Sequence, residues 1–469
     1  MVIPSSALLL ALPGMVGSTF ALLPGYTARR PNYQKPYGGL PPLLDARHSV
    51  VFEASSSTNT YNHQPQIERH GGAFHVAWKS SPFNEDEDGQ NILYSSSTDG
   101  KRWSPAFVLF PSLPAWRFGC NRKASFCFDK IHHESSPFVT LNGRLYAVSN
   151  VRRHGSPGEF FPIPADSMNT TLIRRVLHPA QLTPGGCRAE DPRSICPINE
   201  PCACPPGSMR WVSPSLGPIW WATEVVPHHY ENLSSAVGIR PSISSALNPE
   251  EKADLELFRN PLKANFYAKN ACRNGHCPEP KEGEQTVYAV NASPFDVTLY
   301  RGTGGSLPHG WPGDQGCEDA VACVLLATSR NTTIANSPWA SITPTKIPDL
   351  GSNLDAGSLA DGRVFLVWNG VPRPHVNDSA ACGGRLTALR NPLTLAIASD
   401  GGYKFDRVFA LYNSTTPKRY CGSAKSFGPS YPQAREVTGE GPSMDGLWIV
   451  YSINKEDIGV TFAPVRILK

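Results

Sequence analysis

Short apolar or alternating runs recur along the chain and are separated by turns. They occupy residues 74–78, 91–94, 144–148, 364–368, 393–397 and 447–451. Aliphatic and aromatic residues predominate in them, and runs of this length and composition are typical of β-strands. Four of the runs follow similar turn pairs, which are Gly71-Gly72, Asn142-Gly143, Asp361-Gly362 and Asp445-Gly446. A repeated hairpin of this kind predicts an all-β repeat architecture.

Two turns carry a more specific pattern, STDGKRW at residues 97–103 and SDGGYKF at residues 399–405. Both resemble the Asp-box, S-x-D-x-G-x-x-W, which closes hairpins in sialidase-like propellers. In such a turn the Asp side chain accepts backbone N–H bonds, the Gly takes a positive φ and the aromatic residue packs under the hairpin. The resemblance implies a β-propeller, in which neighbouring blades shield one another's strand edges.

The length of the chain favours a seven-bladed β-propeller, with a six-bladed sialidase-like propeller as the alternative. Without a leader and about 80 residues of insertions, the chain supplies roughly 50 residues per blade for seven blades and 60 for six. The insertions lie near residues 160–214 and 232–284, where Pro, Cys and glycosylation sequons concentrate. A helix is predicted at 249–258 after Asn248 as N-cap. No linker divides residues 22–469, which are predicted to form a single β-propeller catalytic domain.

Composition narrows the class of protein. The 45 Pro and 40 Gly among 469 residues disfavour a helical fold, and charged residues at 17% are too few for a disordered or coiled-coil protein. The net charge is +4 and no long basic run is present, so nucleic acid is not expected as a partner. A globular monomer is expected.

The N-terminus is typical of a secreted protein. An apolar run at residues 7–12 is ended by Pro13-Gly14, and Thr19 and Ala21 have the spacing of a cleavage site. Residues 1–21 are therefore predicted to be a signal peptide, and no membrane is expected as a partner because no apolar run could span a bilayer. Six N-x-S/T sequons begin at Asn169, Asn232, Asn291, Asn331, Asn377 and Asn413. Together these features predict a secreted, extracellular glycoprotein.

The twelve cysteines favour an oxidising compartment. The predicted bridges are Cys120/Cys127, Cys272/Cys277, Cys317/Cys323, two among Cys187, Cys196, Cys202 and Cys204, and Cys382/Cys421. A zinc site in the four-cysteine insertion is the alternative, although C-A-C is tighter than the usual pair of ligands. The sequence therefore predicts disulfide-rich loop insertions without free thiols.

Several stretches outside the insertions resemble one family of secreted propeller enzymes. They lie at residues 62–67, 84–90, 92–95, 172–176, 215–221, 347–349, 355–357, 359–364, 390–395 and 451–458. The family is that of the L-rhamnose-α-1,4-D-glucuronate lyases, with ulvan lyases and propeller α-L-rhamnosidases as relatives. The resemblance implies a uronate-containing polysaccharide as substrate and β-elimination as the reaction.

The resemblance also implies which residues carry the reaction. Removing the C5 proton of a uronate requires a base, an acid for the departing oxygen and a cation that neutralises the carboxylate. His63 is implied as base or acid, Tyr146 as its partner in proton transfer, and Arg174 as the bidentate clamp on the carboxylate. The residues expected to bind substrate are Asn62, Gln66, His133, Arg153 and Trp220.

Three functions remain open at this point. The first is a lyase that removes terminal rhamnose from glucuronate in arabinogalactan-type glycans. The second is an α-L-rhamnosidase-type hydrolase, which would need two facing carboxylates. The third is a non-catalytic glycan-binding propeller, which would be favoured if His63 were buried away from any pocket. A sialidase is less favoured, because its arginine triad and Tyr/Glu pair have no evident positions in the sequence.

The acidic run EDED at residues 85–88 bears on metal binding. Calcium prefers clustered carboxylates, so the run is compatible with a structural calcium ion, and a solvated loop is the alternative. No cofactor is expected for the chemistry, and metal ligands remain unassigned.

Overall fold

The computed structural model describes residues 27–28, 35–85, 87, 89–112, 128–133, 138–155, 170–184, 209–212, 214–221, 239–240, 249–250, 253–254, 288–292, 295–300, 322–329, 341–349, 352–370, 375–377, 386–398, 404–414, 416–422, 425–464 and 466.

The described residues form strands almost throughout. The first half of the chain contains β1 (Thr27–Ala28), β2 (Arg47–Phe52), β3 (Tyr61–His70), β4 (Ala73–Ser81), β5 (Asn91–Ser97), β6 (Phe107–Phe110), β7 (Phe128–His133), β8 (Phe138–Leu141), β9 (Arg144–Gly155), β10 (Thr170–His178), β11 (Gln181–Pro184), β12 (Met209–Val212), β13 (Ser215–Trp221) and β14 (Ile239–Arg240). The second half contains β15 (Tyr288–Ala292), β16 (Phe295–Tyr300), β17 (Ala322–Ser329), β18 (Ser341–Asp349), β19 (Asp355–Ser358), β20 (Val364–Trp368), β21 (His375–Asn377), β22 (Leu386–Ala388), β23 (Leu393–Ala398), β24 (Lys404–Phe405), β25 (Arg407–Tyr412), β26 (Pro429–Val437), β27 (Gly446–Ile453) and β28 (Asp457–Pro464). A 3-10 helix lies at Pro36–Gly39. All six strands predicted from the hydrophobic pattern are confirmed.

Sheets of four or more strands are the building unit. Within the described ranges they are β3-β4-β5-β6, β14-β13-β10-β9-β7 with β8 on β9, β15-β16-β17-β18-β1-β24, β19-β20-β23-β25, and β2-β28-β27-β26. Two smaller hairpins are β11-β12 and β21-β22. Because five large sheets are described, neither the seven blades nor the six blades expected from the sequence are confirmed.

The sheets surround a common axis. The end strands β15, β19, β26 and β3 contact one another in succession, and β3 also contacts β8. The N-terminal strand β2 pairs antiparallel with β28, with Arg47 opposite Phe462, so strands from the two ends of the chain share one sheet. Adjacent sheets thus present their first or last strands toward the centre, as the blades of a propeller do.

The core lies between successive sheets, which explains why the strands are apolar on both faces. In β27, Trp448 and Val450 pack with residues of the β3-β6 sheet, whereas Leu447 and Ile449 pack with residues of the β19-β25 sheet. Alternate residues of a strand point to opposite faces, so a strand between two neighbours must be apolar at every position.

The Asp-box predicted at residues 97–103 is confirmed and connects β5 to β6. Asp99 Oδ1 accepts the N–H groups of Lys101 and Arg102, both at 2.9 Å. Gly100 has φ +65°, and the Trp103 indole N–H donates to its carbonyl at 3.3 Å. The aromatic ring therefore closes the turn as the resemblance implied. In the second Asp-box, residues 399–403 lie outside the described part of the chain.

Replacing Gly100 with Ala is expected to destabilise the fold more than the same change at Gly143. Both glycines have a positive φ, but a Cβ at Gly100 would lie 2.1 Å from Cζ3 of Trp448, whereas a Cβ at Gly143 has nothing within 4 Å. Gly143→Ala thus measures backbone strain alone, and Gly100→Ala adds overpacking of about 1–3 kcal/mol. Denaturant unfolding of the two variants tests this, and equal losses of free energy would contradict it.

Other expectations concern the turns, the insertions and the termini. Gly71, Gly72, Asn142, Gly143 and Gly362 have positive φ values as their turns require, whereas Gly446 already belongs to β27. Residues 249–250 and 253–254 are helical, in agreement with the predicted helix.

Cys421 is disulfide-bonded, and no cysteine of the described residues is free. The signal peptide and the remaining predicted bridges fall outside the described ranges, in whole or in part. In the described residues, no helix has the length and apolar character needed to cross a membrane.

Candidate functional site

Segments with irregular backbone lie on β3, on β26 and in the turn after β27. The chain bulges between His63 and Gln66 in β3 and between Ser430 and Gln433 in β26. Gln64, Tyr431, Asn454 and Lys455 have φ values of 50°, 56°, 56° and 56°. Bulges and left-handed non-glycine residues occur preferentially where side chains must be re-aimed for function. We call the side chains collected here the axial cluster, which comprises Tyr61, His63, Lys79, Glu85, Arg390, Tyr431 and Lys455.

His63 lies between two tyrosines. Its ring centroid is 3.9 Å from that of Tyr431 and 5.7 Å from that of Tyr61, with interplanar angles of 62° and 72°. His63 has no exposed surface, and Tyr431 is 4% exposed. A bulge lies beside each ring, between His63 and Gln66 and between Ser430 and Gln433, and departs from the regular alternation that would point side chains to the two faces of their own sheets.

Ser452 is a hydrogen-bond partner of His63. Nδ1 lies 3.0 Å from Oγ of Ser452, and that oxygen lies 3.1 Å from both the carbonyl oxygen and the hydroxyl oxygen of Ser430. In the tautomer with the proton on Nδ1, Nδ1–H donates to Ser452 and the Ser452 hydroxyl donates onward to Ser430. Nε2 then carries the lone pair, which is the arrangement that a general base requires.

Cationic groups surround the two tyrosines. Lys455 Nζ lies 5.6 Å from the ring centroid of Tyr61 and 5.5 Å from that of Tyr431. Lys79 is opposite His63 in the β3-β4 register and is fully buried. Aromatic faces stabilise buried cations in part, but not to the extent that a carboxylate does.

Glu85 supplies the carboxylate of the axial cluster. Its Oε2 lies 3.1 Å from Lys455 Nζ, and its side chain is 18% exposed. Burial opposes ionisation of Glu85, but the charges of Lys455 and Lys79, with hydrogen bonds from Tyr61 and Lys455, outweigh it and lower the pKa to about 2. Glu85 is thus ionised at any physiological pH and cannot act as a general acid.

Arg390 offers donors that the described part of the fold does not use. It precedes β23 and is 9% exposed, and its Cζ lies 5.1 Å from the ring centroid of Tyr431. Its Nε and Nη1 atoms are buried and have no hydrogen-bond partner among the described residues. A buried guanidinium with unused donors is suited to binding a carboxylate in the plane of its fork.

A second group of buried charges holds the turn that carries Lys455. The Glu456 carboxylate accepts the backbone N–H groups of Arg419 at 3.0 Å and Tyr420 at 2.8 Å. It also lies 3.6 Å from Nζ of Lys425, which donates to the carbonyl of Thr60 at 2.7 Å. Burial lowers the pKa of Lys425 to about 8, and the charge of Glu456 opposes that shift. Glu456 therefore has a structural role in fixing this turn.

Asn62 and Gln66, both predicted to bind substrate, lie beside His63 on β3 and are buried. The Asn62 amide donates to the carbonyls of Asn59 at 3.0 Å and Glu456 at 2.8 Å and accepts from the Trp78 indole at 3.0 Å. These bonds use both amide protons, so in this structure Asn62 joins β3 to the turn of Lys455.

Tyr146, the predicted partner of His63, has its described contacts elsewhere. It is the third residue after the Asn142-Gly143 turn on β9, and its hydroxyl donates to Asp254 at 2.6 Å. Asp254 also accepts from Asn142 at 2.6 Å and from Arg144 at 2.6 Å, and its side chain is fully buried. Burial raises the pKa of Tyr146, and Asp254 raises it further. Tyr146 thus attaches the helical residues 253–254 to the sheet.

Arg174 and His133 are also bonded within the β7-β14 sheet and its surroundings. Arg174 Nε donates to the carbonyl of Gly217 at 2.8 Å, and Nη1 donates to that of Leu109 at 2.6 Å. His133 lies 2.9 Å from Ser149 Oγ through Nδ1 and 2.8 Å from the carbonyl of Pro111 through Nε2. These described hydrogen bonds are to residues other than His63, and the catalytic and binding roles of Tyr146, Arg174 and His133 stay predictions.

Arg153 lies on β9 opposite Ile131, and Trp220 lies on β13 opposite Ile173. Their side chains are outside the described part of the structure, so their roles stay predictions.

The acidic run has partners other than a metal. Glu85 bonds to Lys455, and Glu87 accepts the N–H groups of Phe83 and Asn84. Asp86 and Asp88 fall outside the described residues. Among all the residues that the structure describes, no group of three or more His, Cys, Asp or Glu side chains could hold a metal ion. A cleft of about 520 Å³ lies elsewhere, lined by Arg47, Phe462 and Arg466 among others.

The sequence analysis missed Tyr61, Lys79, Arg390, Tyr431 and Lys455. Arg390 and Lys455 fall within stretches that carried the family resemblance, 390–395 and 451–458, so a signal was present without a role. Tyr61, Lys79 and Tyr431 had no such signal, because only the bulges and the pairing of strands bring them to His63.

Comparisons with known proteins define the fold. Residues 43–155 match the family described as "Beta-prop_BT_1020:-like, N-terminal beta propeller", and residues 321–441 match the "BNR repeat-like domain". A solved structure named "Sialidase" has a TM-score of 0.61 and 17% identity, covering 94% of this chain and 35% of that chain. The fold is a sialidase-like β-propeller. The chain spans about a third of the length of that sialidase.

Two further solved structures have lower similarity. Trypanosoma rangeli sialidase in complex with sialic acid has a TM-score of 0.43 and 9% identity, covering 91% of this chain and 60% of that chain. A thermostable family-43 glycoside hydrolase has a TM-score of 0.30 and 8% identity, covering 85% and 88%. No curated protein sequence is significantly similar to the chain.

Proposed function

We propose that the protein is an extracellular lyase that removes terminal rhamnose from glucuronate by β-elimination. The sialidase-like fold supports a glycan as the ligand. The observation that carries the reaction type is the contact between His63 and Tyr431 beside Arg390 and Lys455. This arrangement combines two proton-transfer groups with cations suited to a carboxylate.

Each group has a role in the proposed reaction. Arg390 and Lys455 bind the uronate carboxylate and neutralise the charge that develops when the C5 proton leaves. His63 Nε2 takes that proton, and the C5–H electron pair forms the C4–C5 double bond as the C4–O4 bond breaks. The Tyr431 hydroxyl gives its proton to O4, which departs with rhamnose. The proton on His63 returns to Tyr431 through solvent before the next cycle.

Hydrolysis by a carboxylate pair has less support. Such a mechanism requires one protonated and one ionised carboxyl group on either side of the scissile bond. Within the described residues of the axial cluster the carboxyl group is that of Glu85, and its pKa of about 2 keeps it ionised. Glu456 is held by backbone N–H groups and by Lys425.

One observation favours a second candidate, a glycan-binding propeller without catalysis. His63 has no exposed surface, and the cleft of about 520 Å³ does not include it. A binding protein would retain the cationic and aromatic residues for recognition and would have no need of an accessible base.

Incubation with a rhamnose-capped glucuronate oligosaccharide from arabinogalactan gum is expected to release rhamnose with a matching rise in ultraviolet absorbance. The product contains a C4–C5 double bond conjugated with the carboxylate, and the released rhamnose keeps the bridging oxygen. In ¹⁸O-labelled water, neither product should therefore gain label at the cleaved bond.

Rhamnose release with incorporated ¹⁸O and no absorbance change would transfer the assignment to the hydrolase. Binding of the oligosaccharide without any release would favour the binding propeller. A heat-denatured sample of the same protein is the control for spontaneous elimination.

A further inference from the structure

The loop of residues 82–90, between β4 and β5, brings an acidic side chain to the axial cluster. Glu87 organises this loop from within by accepting the N–H groups of Phe83 and Asn84. Phe83 is 62% exposed at the surface, whereas Glu85 extends inward to Lys455 at 3.1 Å. The loop therefore joins an exposed aromatic residue to a carboxylate inside the site.

Glu85 occupies the position that an anionic ligand would require. Lys79 and Lys455 have side-chain exposures of 0% or 4%, and the Glu85 side chain, at 18%, is the most exposed of the three. A buried ammonium without a counter-charge is costly, so these lysines need a carboxylate at all times. A ligand carboxylate that bound to Lys455 would compete with Glu85 for the same ammonium protons.

We propose that Glu85 is a displaceable counter-ion, which holds the cationic site in the absence of ligand and is exchanged for the carboxylate of the glycan. This inference rests on the proposed function for the carboxylate site alone and does not depend on elimination. The exchange replaces one negative charge by another, so the lysines stay compensated throughout.

Glu85 is consequently a specificity-determining residue. A uronate carboxylate can take over the contacts with Lys455, whereas a neutral sugar offers no group that would compensate the ammonium. Neutral glycans are therefore excluded by competition with Glu85.

The test is the affinity for free glucuronate, measured by calorimetry on the whole protein and on Glu85→Gln. Glutamine keeps the size of the side chain and removes the competing charge. If Glu85 occupies the site nine-tenths of the time, its loss lowers the dissociation constant about tenfold. Glucose should bind neither protein. Glucuronate should also raise the Tm of Glu85→Gln more than that of the wild type, because the ligand supplies the missing counter-charge.

The matched control is Glu68→Gln, near the end of strand β3 that lies away from His63. Glu68 pairs with Arg435 and has a side-chain exposure of 12%, so this variant also loses one carboxylate from a partly buried ion pair. Its affinity for glucuronate should equal that of the wild type. If Glu85→Gln does not fold, Glu85→Asp carries the same test, because a side chain shorter by one methylene has less reach to Lys455.

Equal or weaker binding of glucuronate by the Glu85 variants, or tighter binding of glucose, would overturn the proposal. The outcome is separable from that of the lyase assay. If the Glu85 variants bind glucuronate more tightly but no unsaturated product forms, the counter-ion proposal stands and the lyase proposal fails. If the protein is an active lyase but its Glu85 variants bind glucuronate no more tightly, the lyase proposal stands and the counter-ion proposal fails.

Discussion

Replacing His63 with Gln is expected to lower kcat for rhamnose release by about 10²–10⁴-fold and to leave the fold intact. Glutamine can fill most of the space between Tyr61 and Tyr431 and can donate to Ser452, but it cannot accept and hold a proton. The absorbance assay measures kcat, and thermal unfolding measures stability. The KM should change little, because the proposed reaction has His63 act on the C5 proton and not on the carboxylate.

His75→Gln is the matched control for this prediction. His75 is a buried histidine of the neighbouring strand β4, bonded to Tyr94 at 2.9 Å and to the carbonyl of His70 at 3.1 Å. Burial lowers its pKa to about 4, so it is neutral at the pH of the assay. The control should lose stability and keep kcat. If His63→Gln also kept kcat, His63 would have no part in proton transfer.

The strands were predictable because both faces of each are buried. A strand that packs between two sheets, as β27 does, needs an apolar residue at nearly every position, and this leaves an unmistakable run such as residues 447–451. The Asp-box was predictable for a related reason, since its Asp, Gly and Trp each satisfy a local requirement of one turn. Structural requirements that are local, or that repeat along the chain, can therefore be predicted from the sequence.

The blade count follows from no local constraint. The number of blades depends on how many sheets close the ring. The Pro- and Cys-rich insertions lengthen the chain without adding blades, so chain length does not determine the blade count. The chain length alone therefore does not predict the five large sheets that the described residues form.

The site was predictable in part. His63 came from a motif that resembles one of a known family, and it lies in the axial cluster. Tyr146 and Arg174 came from the same resemblance, but their hydrogen bonds are to Asp254 and to backbone carbonyls of Gly217 and Leu109. A sequence motif predicts the strand on which a residue lies. The contacts that its side chain makes depend on bulges and insertions, which the motif does not predict.

Tyr431 illustrates what the sequence could not contain. It lies on β26, in a run, residues 429–437, that contains Pro429 and Pro432 and is not among the strands predicted from the sequence. Its φ of 56° arises from the bulge between Ser430 and Gln433, and this turns its ring toward His63 and beneath Arg390. Contacts of this kind arise between sheets that are distant in the chain, so no local pattern encodes them.

Replacing Arg390 with Met is expected to lower kcat/KM by roughly 10²–10³-fold, as removal of a preorganised donor to a developing anion does. Methionine keeps much of the apolar contact with Tyr431 and removes the two donors that have no partner in the described residues. In the proposed reaction Arg390 contacts the carboxylate in the ground state, so KM should rise, and the dianion that forms after loss of the C5 proton should add a fall in kcat. Arg390→Lys should recover only part of the loss, because a point charge cannot form two parallel bonds.

Arg407→Met on β25 is the matched control. Arg407 lies over Phe409 at 5.7 Å from Cζ to the ring centroid, in the sheet that Arg390 precedes, so the variant removes an arginine stacked on an aromatic ring without touching the axial cluster. It should keep kcat/KM within about twofold of the wild type, as surface changes commonly do. Equal losses in the two variants would mean that Arg390 acts on the fold and not on the carboxylate. A fall confined to Arg390→Met, with normal Tm and a raised KM, is the result that a carboxylate clamp requires, because the unused donors of Arg390 are what the ligand would bind.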